Sequence, residues 1–66
     1  MIKMNYAKLF EKYSGKQIQV VTNDGYIFEG EFFAYISAAD NEPDPESIVV
    51  DRTELYTNEI RSLSVM

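Results

Sequence analysis

The order of apolar and polar residues along the chain predicts one short helix near the N-terminus. Tyr6, Leu9, Phe10 and Tyr13 recur at intervals of three and four residues, so they would form one stripe along an α-helix. A stripe of this kind is typical of a helix that packs on the body of its domain. We therefore expect these four side chains to be packed against the core.

The ends of this helix carry recognisable signals. Asn5 is of a residue type that caps helix N-termini, and Gly15 is of the type that follows helix C-termini. These signals place the helix at about residues 5–14. Ile2 would extend the apolar stripe by another turn if the helix began earlier.

From Lys16 onward the apolar residues follow a period of two, which indicates β-strands. The first strand covers 17–22, with Ile18 and Val20 facing inward. The Asn23-Asp24-Gly25 sequence then indicates a tight turn, because glycine adopts positive φ without steric cost.

The second strand, from Tyr26 to Ile36, is long for so small a domain and contains a glycine in its middle. Gly30 is expected to mark a bend where the sheet curls. The even-numbered positions of the strand are expected to face the core: Phe28, Gly30, Phe32, Ala34 and Ile36. On that alternation Phe33 and Tyr35 point outward. Two interpretations remain open for them: either the apolar stripe of the helix lies on them, or they form a subunit or partner interface.

The remainder of the chain predicts a loop and three short strands. Residues 37–47 contain both prolines and no cation, which is typical of a loop. Strands are expected at 48–51, 54–56 and 60–65, with a turn at 52–53 and a brief 3₁₀ connector at 57–59. Ile48 and Val50 are expected to face inward, and Leu63 and Val65 alternate with serines. The fold class is therefore mainly β, with one helix followed by five strands.

Composition limits the protein to one small domain without cysteine or histidine chemistry. Its 66 residues allow the helix and a barrel at about 16–66, and a chain of this length buries only about 60% of its unfolded surface. The absence of cysteine and histidine excludes disulfides, zinc fingers and imidazole catalysis. Self-association is then the simplest way to stabilise the fold. Without a long apolar run or a signal peptide, we expect a cytoplasmic protein and no membrane partner.

Charge is segregated along the chain, whose net charge is −5. Residues 1–16 carry four lysines and one glutamate, a net +3, whereas the rest of the chain carries two arginines and ten carboxylates, a net −8. Nucleic-acid-binding proteins usually present a basic field, because counterion release supplies much of their affinity. Only the helix could supply such a field, through Lys3, Lys8, Lys12 and Lys16. The other interpretation of these lysines is a solvated helix face.

Taken in order, several of these features resemble the Sm and Sm-like protein family. The resemblance is to a divergent, bacterial-type member of that family. The matching segments cover roughly residues 6–66 with the leading helix included: Gly15 to Val20, Asp24-Gly25, Phe28, Gly30, Phe32, Ile48 to Asp51 and Ile60 to Leu63. The resemblance implies a strongly bent, five-stranded antiparallel barrel of the SH3-like kind. It also implies a ring of six or seven subunits, in which the fourth strand of one subunit pairs with the fifth of the next. Such rings commonly bind single-stranded, uridine-rich RNA at the pore.

The segments that match the family's RNA-binding loops depart from its pattern. An Asn is expected just before the third strand, where this chain has Ser47 after Asp44-Pro45-Glu46. An Arg-Gly pair is expected before the last strand, where this chain has 56–59, Tyr-Thr-Asn-Glu. Tyr56 could stack on a base, but a carboxylate stands beside it instead of a guanidinium.

Carboxylates in two places raise the question of metal binding or catalysis. Asp40, Glu42, Asp44 and Glu46 alternate along the loop, which leaves three interpretations open: a solvated loop, a partner-binding loop or a hard-cation site. Glu29 and Glu31 would be solvated on the outer side of the bent strand. No activated nucleophile or phosphate-binding loop accompanies any of these groups. We therefore expect no enzyme, no catalytic residue, no metal and no cofactor.

Three hypotheses about function follow. The leading one is a non-catalytic Sm-like assembly module that self-associates through edge strands, as a homo-oligomer or ring, and docks a protein partner. Its candidate interface residues are Phe33, Tyr35, Leu55, Tyr56, Leu63 and Val65. The second is a single-stranded RNA-binding protein that uses the basic helix face, with candidates Lys8, Lys12, Lys16, Tyr56 and Asn58. The third is an acidic inhibitor that mimics a nucleic acid.

Overall fold

The structure is a computed structural model that describes residues 5–66. The extension of the helix through Ile2 and the contribution of Lys3 to the basic face lie outside the described residues. The elements, in chain order, are α1 (Tyr6–Tyr13), β1 (Gln17–Thr22), β2 (Ile27–Ile36), β3 (Ser47–Val50), β4 (Thr53–Tyr56), a 3₁₀ turn (Thr57–Glu59) and β5 (Ile60–Val65). No helix within residues 5–66 is long and apolar enough to cross a membrane.

Both signals that predict the ends of α1 are confirmed. The side chain of Asn5 accepts a hydrogen bond from the backbone N–H of Lys8 at 3.1 Å, which satisfies a donor that the first turn leaves free. Gly15 follows the C-cap residue with φ +79°, a conformation that suits glycine. Its backbone N–H donates to the carbonyl oxygen of Phe32 at 2.9 Å, so the end of the helix is tied to β2.

The five strands form one antiparallel sheet in the order β4-β3-β2-β1-β5. The mainly β architecture with one leading helix is confirmed, but the sheet does not close: within the described residues β4 and β5 are its two edges. The sheet is therefore bent and barrel-like rather than a closed barrel. The molecule as a whole, α1 included, measures 30 × 25 × 25 Å.

The core lies on the concave side of this sheet, and its fully buried side chains match the predicted alternation in β1 and β3. It consists of Tyr6, Ile18, Val20, Phe32, Ile48, Val50, Leu55 and Ile60. The stripe of α1 packs on it as expected, with Leu9, Phe10 and Tyr13 partly buried. The rings of Phe10 and Phe32 meet edge to face, with centroids 5.1 Å apart, a favourable geometry for two aromatic rings.

The bend occurs where β2 exchanges one partner strand for another. Residues up to Glu31 pair with β1, and residues from Phe32 onward pair with β3. At this corner Asp51, in the tight β3–β4 turn, accepts a hydrogen bond from the N–H of Glu31 at 2.8 Å. Its own N–H donates to the carbonyl of Glu31 at 2.9 Å. A Cβ atom at Gly30 would clash with the carboxylate of Asp51, so only glycine leaves room for this contact.

A register shift at Phe33 changes which residues of β2 face the core. Phe32 pairs with Val50 and Ala34 with Val49, so Phe33 is an extra residue in β2. The strict alternation predicted for this strand is therefore wrong beyond Phe32.

Tyr35 pairs with the core residue Ile48 and packs against the core instead of pointing outward. Ala34 and Ile36, which alternation placed inward, pair with residues on the opposite face of β3, Val49 and Ser47.

Substitution of Gly30 by alanine is expected to destabilise the fold by about 1–3 kcal/mol, the usual cost of overpacking a tight site. The physical cause is the clash with the Asp51 carboxylate. Chemical denaturation of G30A and wild type would measure the loss. The double variant G30A/D51G provides the control, since glycine suits the positive φ of Asp51 (55°) and removes the clashing group. If D51G lowers the free energy of unfolding as much in the G30A background as it does in wild type, the clash with Asp51 is not the cause of the loss.

Candidate functional site

The two edges of the sheet are close in sequence, separated only by the 3₁₀ turn Thr57–Glu59. Each edge strand has a partner on one side alone, β3 for β4 and β1 for β5. An edge strand presents unpaired N–H and C=O groups that can pair with another chain. The structure therefore brings the two predicted edges to neighbouring positions.

The direction of the backbone groups on β4 follows from one hydrogen bond. The N–H of Thr57 donates to the carbonyl of Glu46 at 3.0 Å, toward β3. Because N–H groups of an antiparallel strand point alternately to either side, the N–H of Tyr56 faces the open edge. The same argument applies to β5. The N–H of Met66 donates to the carbonyl of Gln17 in β1 at 3.0 Å, so the N–H of Val65 faces the open edge.

The candidate interface side chains differ in their availability. Phe33 and Val65 are exposed by 63% and 42%, whereas Tyr56 and Leu63 are half-buried. Leu55 is buried in the core of its own chain. Of the two interpretations left open for Phe33, cover by the helix does not hold, because α1 packs on Phe32 instead. By the alternation described above, the backbone N–H and C=O of Leu55 point toward β3, so neither its side chain nor its backbone faces the open edge.

The loop between β2 and β3 is anchored by its single internal asparagine. Asn41 donates through its side chain to the carbonyl of Pro45 at 2.8 Å and to Ser47 and Glu54 at 3.3 Å each. Ser47 is fully buried and donates to the Glu54 carboxylate at 2.7 Å. These contacts fix the loop to β3 and β4, while its carboxylates at 40, 42 and 44 remain exposed.

Glu46 joins the end of β2 to the connector between the two edge strands. One carboxylate oxygen accepts a hydrogen bond from the hydroxyl of Tyr35, and the other accepts from the hydroxyl of Thr57 at 2.8 Å. The same residue accepts the backbone bond from Thr57. Sequence reasoning placed Glu46 in an acidic loop and missed this role, since nothing local to residue 46 reveals its partners.

Burial and nearby carboxylates raise the pKa values of three tyrosines. The hydrogen bond to Glu46, followed by burial, raises the pKa of Tyr35 to about 12. Burial, followed by the charge of Glu46, raises the pKa of Tyr6. The charge of Asp44, followed by partial burial and then the charges of two glutamates, raises the pKa of Tyr56. Tyr56 therefore lies in a negative field, which disfavours a nucleic-acid backbone beside it.

A groove of about 740 Å³ lies between the start of β5 and the end of the acidic loop. Tyr6, Glu46, Asn58 and Arg61 contribute polar groups to it, beside apolar side chains of β5. Arg61 also donates to the carbonyl of Asn23 at 2.8 Å. Sequence analysis did not single out Arg61, although it is one of only two cations in the acidic part of the chain.

The candidate RNA-binding residues do not form one surface. Lys8 and Lys12 line a shallow groove on α1, and the ammonium of Lys12 lies 5.3 Å from the ring centre of Tyr13. Asn58 lines the separate groove beside Arg61. Lys16 is exposed between α1 and β1. The lysines and the loop residues thus belong to different parts of the molecule.

No group of three or more potential metal ligands occurs among residues 5–66. The carboxylates of the acidic loop are therefore not arranged as a hard-cation site in the described part of the chain. Glu29, one of the two outward glutamates on β2, accepts a hydrogen bond from the side chain of Gln19 at 2.9 Å. This is an ordinary cross-strand contact.

Ionisation of Tyr35 is expected to occur about two pH units above that of an ordinary tyrosine, whose pKa is about 10. Because the pKa is raised in the folded state, this hydroxyl stabilises the fold fully below about pH 10. That contribution is lost as the pH rises from about 10 to about 12. Denaturation curves of wild type and Y35F across this range, with tyrosinate absorbance followed in parallel, would measure the effect. Equal slopes of stability against pH in the two proteins would contradict the prediction.

Comparisons with known proteins give no family for this chain. No family model, no curated protein and no solved structure matches it.

Proposed function

We propose that this protein is a non-catalytic, Sm-like assembly module that self-associates by pairing β4 of one copy with β5 of the next. The observation that carries the proposal is the strand order β4-β3-β2-β1-β5, which leaves two strands unpaired on one side. An antiparallel pair between them would satisfy both rows of free backbone groups at once. Sequence resemblance to Sm-like proteins and the helix followed by five antiparallel strands support the same proposal.

The thin core supports self-association on energetic grounds. Only eight hydrophobic side chains of the described residues form the buried cluster, in a chain length at which many domains need additional stabilisation. Pairing between copies would cover Val65, Leu63 and the exposed side of Tyr56. Each added backbone hydrogen bond contributes about 0.5–1.5 kcal/mol.

The charges of the two edges are complementary. Tyr56 on β4 lies in the field of Asp44, Glu54 and Glu59. The other edge, β5, carries Arg61 and no carboxylate. A pair of opposite charge across an interface favours the correct partner and orientation.

The RNA-binding alternative has less support from the geometry. Lys8 and Lys12 line one groove and Asn58 another, and the charges of three carboxylates raise the pKa of Tyr56. A protein partner of basic character suits the acidic loop better than a phosphate backbone does.

Substitution of Tyr56 by proline is expected to disrupt assembly without disrupting the fold. Its N–H faces the open edge, and its φ of −75° matches the value that proline requires. At about 0.5 M salt, where contacts between exposed charges are screened, we expect wild type to sediment as an oligomer and Y56P to shift toward monomer, with about a tenfold higher dissociation concentration or more.

The matched control is Y56T, which removes the same aromatic ring but keeps the backbone N–H. Y56T should remain assembled more fully than Y56P, and circular dichroism should show that both variants are folded. Sedimentation of the wild-type protein as a monomer at high concentration would refute the proposal. Equal sedimentation of the two variants would show that edge hydrogen bonding is not the basis of assembly.

A further inference from the structure

Phe33 is an exposed aromatic side chain on the outer face of the sheet. It is the extra residue at the register shift in β2, and it is 63% exposed. It lines a groove of about 790 Å³ together with Glu31, Val49, Asp51, Arg52 and Thr53. Because the chain's own helix packs on the buried Phe32 instead, this groove has no cover from α1.

The charges around Phe33 follow a definite pattern. Glu31 and Asp51 are acidic, and Arg52 is basic. The carboxylate of Asp51 accepts its hydrogen bond from a backbone N–H. Throughout the described residues, the hydrogen bonds to carboxylates come from neutral donors. Within residues 5–66, the carboxylates of Glu31 and Asp51 thus accept no hydrogen bond from a cationic side chain, although Arg52 lines the same groove.

The outer face of α1 has the opposite pattern. Lys8, Glu11 and Lys12 are spaced three and four residues apart, so they lie on one side of the helix. Together they line a shallow groove of about 370 Å³. This face lies opposite the apolar stripe that holds α1 on the core.

We propose that the outer face of α1 in one copy docks on the Phe33 groove of a second copy. The ring of Phe33 would enter the groove formed by the side chains of Lys8 and Lys12, whose aliphatic stems can cover an aromatic surface. Their ammonium groups would then approach Glu31 and Asp51. The remaining pair is also complementary, since Glu11 of one copy would face Arg52 of the other.

Charge complementarity is what selects a second copy as the occupant. The chain divides into a basic N-terminal segment and an acidic remainder, and the two proposed faces reproduce that division at their contact. The contact joins two different surfaces, so it is head-to-tail and can link copies in series. It uses neither free edge of the sheet and therefore does not depend on the proposed β4–β5 pairing.

The two modes of association differ in their response to salt. Pairing of strand edges rests on backbone hydrogen bonds, whereas contacts between exposed charges weaken as salt screens them, with a Debye length of about 10 Å at 0.1 M. Sedimentation velocity of the Y56P variant, in which edge pairing is weakened, would reveal the helix-to-groove contact through its dependence on salt. We expect association of Y56P at low salt and its loss at about 0.5 M salt.

Charge reversal on either face provides the specific test. In the Y56P background, K8E/K12E and E31K should each abolish low-salt association when present alone. Mixing the two variants should restore it, because each mixture contains one intact helix face and one intact groove. F33S should weaken association at least threefold, and Q19S, a polar change elsewhere on the outer face, should not.

Each remaining outcome would overturn the inference. Absence of salt-sensitive association in Y56P would show that the helix-to-groove contact does not form. Association that persists in E31K and F33S would show that the copies associate through a surface other than the Phe33 groove. Failure of the mixed variants to associate would show that the two faces do not bind each other. Assembly of wild-type protein through its sheet edges can still succeed in every one of these cases, so the two proposals fail separately.

Discussion

The architecture depends on the contact between Gly30 and the carboxylate of Asp51. One strand, β2, has to pair with β1 along its first half and with β3 along its second half. At the change of partner the backbone of Glu31 is bonded by both the side chain and the N–H of Asp51. This clamp sets the bend, and the bend in turn makes the sheet concave enough for Phe32 to meet α1. The strand order leaves β4 and β5 as the two edges of this bent sheet.

Local signals were sufficient to predict most of the fold, because each acts over a few residues. Asn5 and Gly15 mark the ends of α1, and the alternation around Ile18 and Ile48 identifies inward positions correctly.

The bend was also predictable from Gly30, but its cause was not, since Asp51 is distant in sequence. The orientation of Tyr35 could not be predicted: alternation holds only while pairing is regular, and the extra residue in β2 is visible only from the register with β3.

The candidate site was less accessible to sequence reasoning than the fold. Edge strands could be proposed from their order, but which backbone groups are free depends on hydrogen bonds such as that from Thr57 to Glu46. Glu46 itself was read as one charge among several in an acidic loop. Its actual partners, Tyr35 and Thr57, come from other elements. Charge segregation was evident from the sequence, whereas the position of Phe33 between charges of both signs required the structure.

The short connector Thr57–Glu59 has a geometric consequence for any assembly built from the two sheet edges. Three residues in one 3₁₀ turn, tied to Glu46 by side-chain and backbone bonds, leave little freedom between β4 and β5. The angle between the edges is then an internal property of each chain. In a closed assembly that angle determines the rotation from one subunit to the next, and thus the number of subunits. Symmetry would accordingly be altered more readily by inserting residues into the connector than by changing the side chains that meet across the interface.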